Sequence, residues 1–327
     1  MSREMRRRDI LAAAGAAALA GTSRMRPAFA APQLDRSLRV GVYRGGDQTL
    51  LSGTGLDHAD YAVQYGEFTG GNLINQAIDA GALDLGSSSE IPLVFAATAR
   101  ARLRAVATLE GPTANQAVIV PKDSPARSIA DLRGKRVGYI RATTAHYFLI
   151  RMLQQHGMSF ADIQPVAIGM SAGLSAMTSG ALDAWATYGY VIPMLQVRIG
   201  TRTLQTATGI LSGNYIFSAA TADLDDPAFQ AAALDYLSRL DRAYAILDAD
   251  KPRWARLVSP VVGVPYDVVL ADLRSFERRF HVRASRPSDI DSARAVAATF
   301  AGAGLLPKDV DVASSFSDSL SGGLPRA

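Results

Sequence analysis

The chain has 327 residues, 34 of them basic and 30 acidic, and no cysteine. Disulfides, a thiol nucleophile and a cysteine-ligated metal are therefore excluded, and the length allows one large domain or two moderate ones with ample core. Residues 1–30 hold six Arg and two acidic residues, so the remainder carries 28 of each sign and is formally neutral. With no basic patch interleaved with aromatics, nucleic acid is not an expected partner.

The first thirty residues read as a cleaved export signal. Arg7-Arg8 before Ile10-Leu11 has the twin-arginine pattern, the apolar run to Gly21 is too short to span a bilayer, and Ala28-Phe29-Ala30 is a small-x-small cleavage site. The expected mature protein begins at Ala31 and is periplasmic. From there strands and helices alternate, the pattern of a parallel α/β sheet. Residues 38–43 predict a strand, followed by the turn Arg44-Gly45-Gly46-Asp47-Gln48, whose glycines let backbone N–H groups approach a ligand. Residues 61–68 predict a second strand. Gly70-Gly71 opens a helix that Gly81 ends, and Ser87-Ser88-Ser89-Glu90 leads from a third strand into the next helix. Residues 103–109 and 117–120 are further strands, and the break at 121–125 predicts a crossing between halves.

Residues 136–140 begin the second half as strand, polar turn and helix. Thr143 and Thr144 are good N-cap acceptors, and with Arg141 and His146 nearby this helix start could hold a small anion. Gly169 to Gly173 leads into another helix, Trp185 to Tyr190 is an aromatic run, and a strand at 215–218 returns the chain to the first half. Asp225-Asp226-Pro227 is a helix start, and Phe229, Ala233, Leu237, Leu240, Tyr244 and Leu247 form one apolar stripe after it. Helices at 253–258, 266–276 and 289–301 are expected to brace the first half, and the Ser-rich stretch 314–321 is expected to fray.

Two short strings recur. Arg39-Val40-Gly41 matches Arg136-Val137-Gly138 at an offset of 97, and Gly81-Ala82-Leu83-Asp84 matches Gly180-Ala181-Leu182-Asp183 at an offset of 99. Two halves of similar build follow, with strand ends facing each other across a cleft. The expected organisation is a first lobe of 31–120 and 219–327 and a second lobe of 121–218.

In their order and spacing, these strings, together with Val120 to Pro125, Ser128 to Val137, Thr144-Ala145-His146-Tyr147, Asn214-Tyr215 and Gly304-Leu305-Leu306-Pro307, carry a resemblance. The chain resembles the substrate-binding proteins of ABC importers for aliphatic sulfonates, taurine and related anions. The resemblance implies an α/β, two-lobed type II periplasmic binding protein fold that closes on its ligand. It implies a small sulfonate-like anion as ligand, and an ABC permease and its ATPase as partners of a monomer. It also implies a ligand set of Arg44, Gly45, Gly46, Asp47, Gln48, Ser88, Ser89, Glu90, Thr143, Thr144, His146, Trp185 and Asn214. The sequence departs from the family where Trp185 is followed by Ala186-Thr187 in place of Asp and Pro, and where Arg44-Gly45 stands in place of Gln-Lys. The first departure removes an acid that could pair a ligand amine, which favours a plain sulfonate or sulfate ester over taurine.

Two alternatives stand beside this reading. One is a binder of the same fold for nitrate, taurine or a pyrimidine. The other is a serine esterase, since Gly169-Met170-Ser171-Ala172-Gly173 fits the G-x-S-x-G pattern between strand and helix. Its only downstream histidine is His281, in a charged stretch, 278–281, that reads as a solvated face. The four histidines lack metal-ligand spacing, and no metal or cofactor is expected.

Overall fold

The computed structural model describes residues 36–325; the expected export signal lies outside them. The chain runs β1 (Leu38–Val42), α1 (Asp47–Thr54), β2 (Val63–Glu67), α2 (Gly71–Asp79), β3 (Leu85–Ser89), α3 (Glu90–Thr98) and β4 (Leu103–Glu110). It continues through β5 (Gln116–Val120), β6 (Arg136–Tyr139), α4 (Thr144–Gln155), β7 (Gln164–Ala167), α5 (Met170–Thr178), β8 (Ala184–Tyr188), α6 (Val191–Ile199) and β9 (Arg202–Thr206). The remaining elements are β10 (Asn214–Ala220), α7 (Pro227–Ala249), α8 (Lys251–Val262), α9 (Tyr266–Arg274), β11 (His281–Arg283) and α10 (Pro287–Gly302).

The strands form two mixed sheets, β11-β4-β10-β3-β1-β2 and β7-β6-β8-β5-β9. In the first, β1 lies parallel between β2 and β3, and β10 runs antiparallel to β3. In the second, β6 lies parallel between β7 and β8, and β5 runs antiparallel to β8. The sequence repeat is thus a repeat of topology, and its residues explain themselves. Asp84 accepts from the Arg39 backbone N–H at 2.7 Å and from its guanidinium at 2.5 Å. Asp183 accepts from the same groups of Arg136 at 2.8 and 2.9 Å. A Cβ on Gly41 or on Gly138 would lie 2.6 Å from Leu83 or Leu182 respectively, so each first strand needs glycine where the following Gly-Ala-Leu-Asp turn folds over it. The repeat extends to the turn after the strand: Gly45 is left-handed at φ 73°, and its counterpart Ala142 holds φ 56°.

The crossings differ from the sequence expectation. β5 pairs with β8 and β9, so the chain crosses at 111–115, before β5, and not at the proline break that follows it. The return lies at 207–213, because β10 already pairs with β4 from Asn214 onward. Hydrogen-bond partners far away in sequence, which a local break cannot reveal, decide both boundaries. The two crossings are tied together by Gly111 N–H donating to Gly213 O at 2.9 Å. From the first half, the Glu277 carboxylate accepts from Thr113 N–H at 2.7 Å and from Thr113 Oγ1 at 2.9 Å. Burial would raise the Glu277 carboxyl, but these bonds hold it below its ordinary value.

The predicted stripe of α7 is fully buried and sits in the core of the first sheet. A second core joins Ile91 and Val94 of α3, Phe148 and Met152 of α4, and Val296 and Phe300 of α10, so α10 packs against helices from both halves. The segment expected to fray is tied down: Ser317 N–H donates to Ala105 O at 2.8 Å and Leu320 is buried. The stretch 278–281 is not a free solvated face either, since it leads into β11, where His281 Nδ1 lies 2.9 Å from Asp241. No helix of the described residues is long and apolar enough to cross a membrane.

Candidate ligand-binding site

The parallel strands β1, β3, β6 and β8 end at one cavity of about 260 Å³, and the antiparallel strands β5 and β10 bring their amino ends to it. Tyr43, Gly46, Asp47, Gly71, Ser87, Ser89, Pro92 and Leu109 line it from the first half, and Asn115, Gln116, Thr143, Thr144, Tyr188 and Gly189 from the second. Tyr215, Tyr244 and Phe280 complete the wall. No Arg, Lys or His is among these lining residues.

The polar part of the wall is made of helix starts. Gly46, Ser89 and Thr143 are the N-caps of α1, α3 and α4, and Gly71 is the first residue of α2. First-turn N–H groups have no acceptor inside their own helix and carry partial positive charge. At these four helices no N-cap side chain takes them up, although at α1 the Asp47 carboxylate accepts from its own N–H. Elsewhere α5, α6 and α9 also start without a side-chain cap, whereas α7 and α8 are capped by Asp226 and Asp250; what sets the four apart is that they converge on one cavity. Four uncapped helix starts around one cavity can bind an oxyanion through backbone donors alone. The rest of the wall is aromatic. Tyr244 and Phe280 are stacked with centroids 4.7 Å apart, and Tyr215 lies 5.9 Å from Phe280. Burial pushes the Tyr188 phenol up to about 12, so it stays neutral and can donate.

Of the residues implied by resemblance, Gly46, Asp47, Ser89, Thr143 and Thr144 line the cavity. The others are placed elsewhere, for stated reasons. Arg44 is exposed and donates to Val261 O at 2.9 Å; Gly45 supplies the left-handed turn; Gln48 is exposed. Ser88 faces away because strand residues alternate, leaving Ser87 and Ser89 on the cavity side. Glu90 is buried behind the wall, accepting from Ser212 Oγ at 2.7 Å and Ser292 Oγ at 3.1 Å. Asn214 is buried between Asp289 and Arg283, at 3.2 and 3.3 Å.

His146 turns into an aromatic cluster with Tyr139, Phe160 and Phe300. Its Nδ1 accepts from Ala142 N–H at 3.4 Å, which supports the left-handed turn presenting Thr143 and Thr144. Burial and the Arg141 charge push its imidazole down to about 4, so it is a neutral acceptor. Trp185 is fully buried under α5, where a Cβ on Gly173 would overlap its ring. Gly173→Ala is therefore expected to cost about 1–3 kcal/mol of stability by overpacking and to leave ligand affinity unchanged, as melting and calorimetry of the same variant would read. Sequence reasoning missed Tyr244, read as ordinary core stripe, and Phe280, read as solvated. Tyr188 and Tyr215 sit in runs it did single out.

The esterase geometry is not formed. Ser171 is an exposed residue of α5, while His281 is held by Asp241 beside the other sheet. Among the described residues no cluster of three metal-ligating side chains occurs.

Comparison with known proteins agrees with this architecture. An Escherichia coli (strain K12) protein named for aliphatic sulfonate binding is 27% identical over 251 residues, 75% of this chain and 78% of its own length. The crystal structure of the periplasmic aliphatic sulphonate binding protein SsuA from Escherichia coli superposes with a TM-score of 0.77 at 25% identity, covering 88% of this chain and 92% of that one. The alkanesulfonate-binding protein SsuA from Xanthomonas axonopodis pv. citri, bound to MOPS, gives 0.76 at 27% identity, covering 86% and 98%. The family model described as NMT1/THI5 like matches residues 57–231. With more than half its length matched and the two-sheet fold in place, the chain belongs to the NMT1/THI5-like family.

Proposed function

We propose that this protein is the periplasmic substrate-binding component of an ABC importer and that it carries a small organic oxyanion of the sulfonate or sulfate-ester class to its permease. The observation that carries this reading is the convergence of four uncapped helix starts on an aromatic-walled cavity that has no basic side chain. A sulfonate has three acceptor oxygens and a single charge, which backbone N–H groups and hydroxyls can satisfy. The aromatic wall takes its carbon skeleton. The related proteins named for sulfonate binding support the same ligand class.

On this reading the protein does no chemistry on its ligand. The two lobes, pivoting on the tied crossings at 111–115 and 207–213, close on the ligand and present the closed form to the permease and its ATPase. The protein acts as a monomer, delivered to the periplasm by its twin-arginine leader.

A thermal-shift panel of alkanesulfonates, aryl sulfonates, sulfate esters, nitrate and pyrimidines tests the reading. A sulfonate at about a hundred times its Kd adds about 2.7 kcal/mol, a rise of several degrees. No shift with any sulfonate or sulfate ester, or a shift with pyrimidines alone, would overturn it.

A further inference from the structure

One residue beside the cavity holds a backbone conformation that its side chain does not favour. Among the described residues, Arg100 and Ala142 are the non-glycines with positive φ, at 55° and 56°. Arg100 follows the end of α3, where a left-handed residue commonly closes a helix. Ala142 instead lies just before the start of α4, and alanine has no polar side chain to bond its own backbone there. Such a turn persists only where its surroundings impose it.

The internal repeat points to what imposes it. At the offset of 97 the first half has Gly45, which needs no support because it has no Cβ, and Thr49 stands where the second half has His146. His146 is the third residue of α4 and is buried. Its Nδ1 accepts from Ala142 N–H at 3.4 Å, which assigns the ring proton to Nε2. The ring is packed against Tyr139 and Phe300, with centroids 4.6 and 5.0 Å away. A fixed acceptor here reaches back over the helix start much as the third-residue acid of a capping box does. Thr143 Oγ1 donates to Ile140 O at 2.7 Å and closes the same turn. Thr143 and Thr144, which the turn presents, line the cavity, and His146 does not.

We infer that His146 is a positioning residue for ligand binding: through Ala142 it holds the left-handed turn that aims the first-turn N–H groups of α4 into the cavity, and it touches no ligand atom itself. The inference rests on the oxyanion reading above and assigns how the second half keeps its share of that site in shape.

Calorimetry with butanesulfonate and benzenesulfonate tests this on the whole mature protein. His146→Leu keeps the apolar volume and removes the acceptor. His146→Asn keeps an acceptor at the same distance from the backbone and gives up the ring. A packing role makes Asn the worse variant; a positioning role makes Leu the worse. His146→Leu is expected to bind about tenfold more weakly than the parent, and His146→Asn within about twofold of it. In an Ala142→Gly background, where the turn costs no strain, His146→Leu is expected to change affinity by less than about twofold. Parent-like affinity in His146→Leu, a larger loss in His146→Asn, or an undiminished loss in the glycine background would each overturn the inference and leave the oxyanion reading standing. If His146→Asn does not fold, the glycine background decides. A crystal structure of His146→Leu reads the same claim without ligand: residues 141–144 are expected to leave the left-handed turn, and an unchanged turn would overturn the inference. Absence of heat with either sulfonate in the parent would count against the oxyanion reading, and that crystal structure would then decide the inference alone.

Discussion

Asp289→Ala is expected to destabilise the protein by about 3–5 kcal/mol, a fall in Tm of roughly ten degrees. The Arg283 guanidinium, 3% exposed, grips Asp289 with two bonds of 2.6 and 2.9 Å and reaches Glu110 at 3.1 Å. Asp289 in turn accepts from Thr108 Oγ1 at 3.0 Å, Asn214 Nδ2 at 3.2 Å and the Arg286 backbone N–H at 2.9 Å. Burial would raise its carboxyl, but Arg283 holds it below the usual carboxylate value. Removing the acid leaves a buried guanidinium short of its main counter-ion, and uncouples the first turn of α10 from β4, β10 and β11. Because α10 also packs on α3 and α4, the loss reaches both halves. Asp291→Ala is the control: its pair with Arg294 is exposed on both sides and should melt as the parent does. Equal melting of the two variants would contradict the argument.

What the sequence reveals is what local pattern can encode. The α7 stripe is legible because burial of one helix face leaves a 3.6-residue period, and all six predicted positions are buried. The twofold build is legible because Arg39 with Asp84 and Arg136 with Asp183 solve the same local problem twice. The helix starts at Ser89 and Thr143 are legible for the same reason, and both line the cavity; α1 is not, because Arg44 to Gln48 reads only as a glycine turn. The crossings are not legible, because β5 and β10 take their sheet from partners dozens of residues away. Nor is the aromatic wall. Tyr244 belongs to a stripe that looks like core throughout, and only the fold decides that its ring, with Phe280, borders a cavity. His146, Trp185, Asn214 and Glu90 mislead in the opposite way. They adjoin the cavity in sequence, but their side chains serve the packing that shapes it.

Glu90→Gln should raise Tm at pH 8 and leave it nearly unchanged at pH 5. Burial pushes the Glu90 carboxyl from its ordinary 4.5 up to about 7, with the bonds from Ser212 and Ser292 only partly opposing. Its Oε2 has no partner. Between those two values the folded protein keeps the proton that the unfolded chain has released, so stability falls as pH rises through the window. Above pH 7 the full penalty applies, about 3 kcal/mol at 1.36 kcal/mol per pKa unit. Glutamine still accepts from both serine hydroxyls and carries no charge, so it escapes this penalty and should gain about 2 kcal/mol at pH 8 after leaving one amide group unpaired. Asp47 and Asp272, raised by burial to about 6 and about 7, and His146, lowered by burial to about 4, titrate across the same range. They act equally in parent and variant, so the difference between the two melts isolates Glu90. A gain of the same size at both pH values would show that charge is not the cause. A loss at pH 8 would show that the carboxylate is wanted ionised where α3, the return crossing and α10 meet.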